Sequence, residues 1–237
     1  MQIKKHIPNA ITCCNLICGC ISISCSYCAY IKWALIFIIC GAIFDFFDGM
    51  VARLLHVSSP IGKELDSLAD VVTFGVAPSF MLAVYLANTE FNGLQHHTPY
   101  LSAIAFVMAA FSALRLAKFN LDTRQSTSFI GLPTPANALF WGSVIVYHYH
   151  LNAPNPLLSP NEFIALIVME LVSCYLLVAE LPLFALKFKD LSWKNNSIKY
   201  IFLVGCLPCF LLGWGCFAAI IVWYLVLSVL NNLTIKQ

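Results

Sequence analysis

The chain has 237 residues, of which 60% are hydrophobic and only 10% charged, and its mean hydropathy is +0.83. A water-soluble domain of this length could not carry that composition on its surface, so the expectation is an all-α, polytopic integral membrane protein. The net charge is only +2; no nucleic-acid partner is expected, and the placement of the charges says more than their sum.

Eight apolar stretches long enough to cross a bilayer follow one another. The first, near 9–31, is preceded by Lys4 and Lys5. That pairing also opens secretion signals, but no small-x-small cleavage site follows a short core. The second stretch lies near 33–54 and the third near 64–87, with Arg53 and Lys63 between their apolar centres. The fourth, near 99–119, ends among Arg115, Lys118 and Arg124. The fifth lies near 133–150 and the sixth near 162–186, followed by Lys187, Lys189, Lys194 and Lys199. The last two, near 198–213 and 215–231, are separated by Gly213-Trp214-Gly215, which suits a tight turn. Pro208 interrupts the seventh, so one long kinked helix is the alternative there. Residues 1–190 are expected to form a transmembrane core and 191–237 a C-terminal hairpin of the same domain.

Of the 13 basic residues only Lys32 falls outside one set of alternate connections. Lys236 follows the last stretch on that same side. Basic residues in short loops stay in the cytoplasm, which places both termini there, in the cytoplasmic membrane. The connections near Asn88 to Pro99 and His150 to Pro160 then lie outside and read as plain linkers.

Cys25 with Cys28, and Cys206 with Cys209, have ligand-like spacing but sit within apolar stretches, where cysteine behaves as a small hydrophobe. His96, His97, His148 and His150 fall near the outer interface, an ordinary place for an amphipathic ring.

The chemistry concentrates between residues 45 and 70. Asp45, Asp48, Gly49, Ala52, Arg53, Gly62, Asp66 and Asp70 interrupt membrane-grade sequence on a fixed grid. Carboxylates at membrane depth are costly, and such residues are functional candidates by default. On helices, Asp45 and Asp48 share one face, as do Asp66 and Asp70 on the next stretch. Four carboxylates offer hard oxygen ligands for Mg²⁺, Mn²⁺ or Ca²⁺, with charge enough for two such ions. Gly49 and Ala52 leave floor space for a bulky ligand, and Arg53 brings a fork of donors suited to phosphate oxygens. Together they describe a diphosphate site. Lys63 and Glu64 read as solvated helix ends.

Asp45-Phe-Phe-Asp48-Gly49-Met-Val-Ala52-Arg53, then Gly62, Asp66 and Asp70, resembles the signature of the CDP-alcohol phosphotransferase family at every position. Within that family the chain is most similar to the small phosphatidylserine synthases. That similarity rests on Ile7-Pro8-Asn9 with Thr12 and Asn15, Phe74 to Pro78, Arg115 to Asn120, and Gly131 to Ala136. The resemblance implies a six-helix core, extended here by the C-terminal hairpin, and a homodimer among membrane lipids. It also implies transfer of a phosphatidyl group from CDP-diacylglycerol to the hydroxyl of L-serine, with release of CMP by in-line displacement. Asp45, Asp48, Asp66 and Asp70 would hold two divalent ions, Mg²⁺ or Mn²⁺, with Asp70 also the general base. CDP-diacylglycerol would be bound by Asp48, Gly49, Ala52, Arg53, Gly62 and Asp66. Arg115, Lys118 and Asn120 are the candidates for serine, against the simpler reading that they anchor lipid phosphates at the interface. Gly131 to Ala136 is placed to close over the acceptor.

Two alternatives are weighed. A phosphorylated acceptor, such as glycerol 3-phosphate or inositol phosphate, would call for more arginines than Arg53, Arg115 and Arg124. A divalent-cation transporter would place its acids near the bilayer midplane on several helices, whereas these occupy one end of two neighbouring stretches.

Overall fold

The computed structural model describes residues 3–57, 59–87, 98–121, 129–152, 158–184 and 192–235. The expectations for His96, His97, Arg124, Lys187, Lys189 and Lys236 therefore lie outside the described residues, as do those for the side chains of Lys4, Lys5 and Lys194.

Helix α1, Ile3–Tyr27, begins ahead of the expected apolar stretch and contains Pro8. Proline is tolerated so near a helix start, where few backbone bonds are lost. α1 and α2, Ile31–Leu54, pack side by side. Both end in the same way. Tyr30 N–H bonds Cys25 O and Ala29 N–H bonds Ser26 O; Val57 N–H bonds Ala52 O and His56 N–H bonds Arg53 O. These are paired closing bonds around a left-handed residue, here Ala29 at φ 60° and His56 at φ 52° instead of glycine. The second closure turns the chain straight into α3, Pro60–Asp70, whose N-cap is Ser59, its hydroxyl accepting from Gly62 N–H.

α3 continues without a break through a π-helical turn, Val71–Val76, into α4, Ala77–Ala87. α5, Thr98–Leu101, and a 3₁₀ turn, Ser102–Phe106, lead into α6, Val107–Leu121. α7, Thr134–Asn152, and α8, Pro160–Val178, follow; α8 starts from a capping box in which Ser159 and Glu162 satisfy each other's backbone. The expected sixth stretch ran to residue 186, but Ala179 is already extended and Pro182 cannot supply a helical N–H. Instead Pro182–Leu183 (β2) pairs antiparallel with Phe129–Ile130 (β1), a two-residue departure from an all-α chain. The pairing ties the approach to α7 to the exit from α8.

α9, Trp193–Cys209, and α10, Cys216–Ile235, are joined by a 3₁₀ segment, Phe210–Gly215, in which Gly213 adopts φ 55°. They fold back on one another: Gly205 lies against Trp223, and the Phe202 and Tyr224 rings meet at 5.7 Å. A hairpin, not one kinked rod, is what forms.

Six stretches are long and apolar enough to cross a membrane: His6–Tyr27, Ile31–Leu54, Pro60–Ala87, Ser102–Leu121, Pro160–Val178 and Asn196–Thr234. The expected eight crossings are thus supported as six by length and composition, because the final hairpin registers as one stretch and α7 is too polar. α7 packs against α2, α4, α10 and the π-turn, with Ala138, Trp141, Ile145 and Val146 buried. A helix surrounded by protein need not be apolar all round. Leu35 and Ile38 of α2, Phe74, Met81 and Leu82, Met108 of α6 and Trp141 form the core. Gly142 admits Leu35, since a Cβ there would lie 2.7 Å from Leu35 Cδ1. Between apolar helices in lipid, such close packing takes the place of water exclusion as the source of association.

Candidate active site

The short connection from α2 to α3 sets the geometry of the acidic grid. Asp48 and Asp66 each lie about 9 Å along their helices from that connection at 1.5 Å per residue, and Asp45 and Asp70 one turn further. The carboxylate oxygens of Asp45, Asp48 and Asp66 come within 4.8 Å of one another. Asp70 sits against this triad, hydrogen-bonded to Asp45 and near enough to Asp66 for their charges to interact. Asp66 Oδ1 is buried with no hydrogen-bond partner among the described residues. Three converging carboxylates and an orphaned oxygen fit a hard divalent cation.

α1 supplies contacts that reading the grid alone did not anticipate. Thr12 Oγ1 donates to Asp48 Oδ2 at 2.6 Å, and Asn15 Nδ2 donates to Asp70 Oδ1 at 3.1 Å. Both residues carried the sequence resemblance, yet nothing in their local pattern assigns them these partners.

A cavity of about 270 Å³ opens beside the triad, lined by Pro8, Asn9 and Thr12 of α1, Asp48, Gly49 and Ala52 of α2, and Val57, Ser59, Gly62, Lys63 and Asp66. Of the expected donor-site residues, Asp48, Gly49, Ala52, Gly62 and Asp66 line it and Arg53 does not. Arg53 is exposed, and its Nε donates to Gly49 O at 3.0 Å, one turn back on its own helix. Lys63 was expected to be a solvated end; it is exposed but forms part of the wall, and its Nζ donates to Asn120 O at 3.1 Å. A Cβ on Gly49 would meet nothing within 4 Å, whereas one on Gly62 would come within 3.0 Å of Asn9 Oδ1 and Ser59 Oγ. Space at Gly49 is open, and at Gly62 it is used by the protein.

The three expected serine ligands fare differently. Asn120 Nδ2 donates to Ser67 Oγ at 2.8 Å, so its amide ties α6 to α3. Lys118 is exposed. Arg115 is buried, lies 5.4 Å from the centre of the Phe119 ring, and is close enough to Asp70 for their charges to interact. Its Nε has no hydrogen-bond partner among the described residues. Gly131, at φ 74°, packs against the carbonyl oxygens of Leu177 and Ala179, which accounts for the glycine. Cys25, Cys28, Cys206 and Cys209 are free thiols.

A family model described as CDP-alcohol phosphatidyltransferase matches residues 5–230. The chain is 43% identical over 132 residues to a Bacillus subtilis protein named CDP-diacylglycerol–serine O-phosphatidyltransferase, covering 55% of this chain and 70% of that one. A Helicobacter pylori protein of the same name is 37% identical over 134 residues, covering 56% of this chain and 54% of that one. One from Saccharomyces cerevisiae is 40% identical over 115 residues, 45% of this chain and 38% of its own length. The chain thus spans about half or less of the length of the last two relatives.

Proposed function

Because the chain belongs to the CDP-alcohol phosphatidyltransferase family, we propose that it transfers the phosphatidyl group of CDP-diacylglycerol to the hydroxyl of L-serine, giving phosphatidylserine and CMP. The observation that carries this reading is the triad of Asp45, Asp48 and Asp66 at the edge of a cavity that is open at Gly49. The names of the relatives support serine as the acceptor.

Asp45, Asp48 and Asp66, with Asp70 alongside, would hold two divalent cations, Mg²⁺ or Mn²⁺. Bound there, such ions would supply positive charge to neutralise a diphosphate and stabilise the leaving CMP oxygen. Gly49 and Ala52 give the nucleotide room against α2, Gly62 lets α3 approach Asn9, and Lys63 places positive charge on the wall. Arg53 follows Ala52 on α2, its Nε engaged by Gly49 O, and its remaining guanidinium donors would serve the diphosphate. The serine oxygen bonds to phosphorus as the bond from phosphorus to the CMP oxygen breaks, and the serine proton passes to Asp70. Arg115, buried on α6 with its Nε unpartnered among the described residues, would receive the serine carboxylate beside Asp70.

The distribution of basic residues supports a site open to the cytoplasm with both termini on that side. The family resemblance supports a homodimer, which cross-linking in native membranes would test. The decisive assay supplies purified protein with CDP-diacylglycerol, Mn²⁺ and labelled serine, glycerol 3-phosphate or inositol phosphate in turn. CMP release coupled to a serine-labelled lipid is expected; CMP release with another acceptor and none with serine would overturn the assignment.

A further inference from the structure

Lys63 stands in an electrostatically unfavourable place on its own helix and is held by another. It is the fourth residue of α3, in the first turn, where the helix dipole repels a cation. Its Nζ crosses to α6 and donates to Asn120 O at 3.1 Å. Asn120 lies one residue from the end of α6, so its carbonyl is one of the four that a helix leaves without partners of its own, at the negative end of the dipole.

Two further bonds close a ring. Ser67 Oγ, one turn after Lys63 on α3, donates to Lys63 O at 3.2 Å, and Asn120 Nδ2 donates to Ser67 Oγ at 2.8 Å. A hydroxyl has a single hydrogen, so once Ser67 gives it to Lys63 O the oxygen can only accept, and the Asn120 side chain must present Nδ2–H. Each of the three residues thus holds the next.

The ring leaves Lys63 on the wall of the cavity that Asp48, Gly49 and Asp66 also line, and among the described residues it is the only basic one there. An ammonium carries three donors, of which Asn120 O takes one. Two N–H groups remain for the oxygens of an anion in the cavity. An unrestrained lysine must be ordered when its ligand arrives; this one is ordered beforehand.

We propose that Lys63 is a direct ligand of the donor diphosphate, and that Ser67 and Asn120 are positioning residues that hold its ammonium on the wall. This rests on the transfer reaction proposed above and goes beyond it: the anionic part of the donor gains a ligand on α3, and Asn120, expected to bind serine, acts on the donor side.

The test uses the full-length protein and four variants: Lys63→Met, Ser67→Ala, Asn120→Leu, and Lys63→Met combined with Ser67→Ala. Three quantities are measured: KM for CDP-diacylglycerol, KM for serine, and the Mn²⁺-dependent rise in melting temperature across a CDP titration. Lys63→Met is expected to raise the donor KM and weaken CDP about tenfold. Ser67→Ala and Asn120→Leu free the ammonium without removing it, and should weaken both about two- to tenfold, with the serine KM within about twofold of wild type. The double variant should match Lys63→Met alone, because residues that act through a third add nothing once it is gone. Wild-type donor KM and CDP affinity in Lys63→Met would overturn the proposal. So would a double variant weaker than Lys63→Met by the full factor of Ser67→Ala, or failure of Ser67→Ala and Asn120→Leu to fold, since either makes the ring structural. A rise in serine KM alone for Asn120→Leu would overturn it as well. CDP binding reads the donor site without transfer, so a wild-type protein that binds CDP through Lys63 but never transfers to serine would support this proposal and refute the parent reaction.

Discussion

Thr12 on α1 holds Asp48 on α2 through a 2.6 Å hydrogen bond that spans 36 residues of sequence. The hydroxyl has one hydrogen, and its other acceptor contact, to Pro8 O, is longer at 3.1 Å. The carboxylate is therefore the better partner, and charge strengthens the bond. Thr12→Val keeps the shape and removes the donor. The expected outcome is a roughly ten- to hundredfold weaker activation by Mn²⁺, from the usual 1.5–3 kcal/mol of a hydrogen bond to a charged group, read from initial rates across a Mn²⁺ titration.

Gly49 separates folding from binding. Because a Cβ there touches nothing, Gly49→Ala should leave melting temperature unchanged or raise it, the helix gaining about 0.5–1 kcal/mol. The same methyl enters the space assigned to the donor, so KM for CDP-diacylglycerol should rise. Thermal melts and steady-state kinetics on one preparation check both halves. A variant with raised stability and unchanged KM would show that the donor does not use this floor.

Arg115 is the proposed ligand for the serine carboxylate, buried with its Nε unpartnered among the described residues. Arg115→Lys retains a charge but loses the planar fork, so the serine KM should rise about tenfold or more with KM for CDP-diacylglycerol unchanged. An unchanged serine KM would remove Arg115 from that role.

Gly131 tests the link between α7 and α8. A side chain at φ 74° that also lies 2.9 Å from the carbonyl oxygens of Leu177 and Ala179 is strained twice over. Gly131→Ala should cost roughly 2 kcal/mol or more, lowering the melting temperature by about 4–8 °C.

Much of the acidic grid was legible in the sequence because charge is conspicuous in an apolar chain and because α2 and α3 are joined by so short a connection. Asp45, Asp48 and Asp66 meet as their spacing implied. The contributions of α1 were not legible as contacts: Thr12 and Asn15 reach partners 36 and 55 residues away, and no periodicity encodes which acid each will meet. Nor could spacing foretell that the Asn120 amide would be taken up by Ser67, or that Arg53 would turn back to Gly49 O while Lys63 joined the cavity wall. These are choices among several donors within reach, decided by packing. Apolarity ran the sixth stretch past its end because Leu181 and the residues after it are as hydrophobic as a helix in lipid; Pro182 and the pairing with Ile130 decide otherwise. The helices themselves followed from apolar length, and α7 shows the opposite case, where burial within protein frees a helix from that requirement.

The triad's role is tested most directly by metal dependence. Protein stripped by a chelator and supplied with CDP-diacylglycerol and labelled serine should release no CMP. Added Mn²⁺ should restore turnover in wild type and fail to do so in Asp66→Asn, whose fold is confirmed by its melting curve. Turnover that persists in the chelator, or an Asp66→Asn variant that responds to Mn²⁺ as wild type does, would contradict a catalytic cation held between Asp45, Asp48 and Asp66.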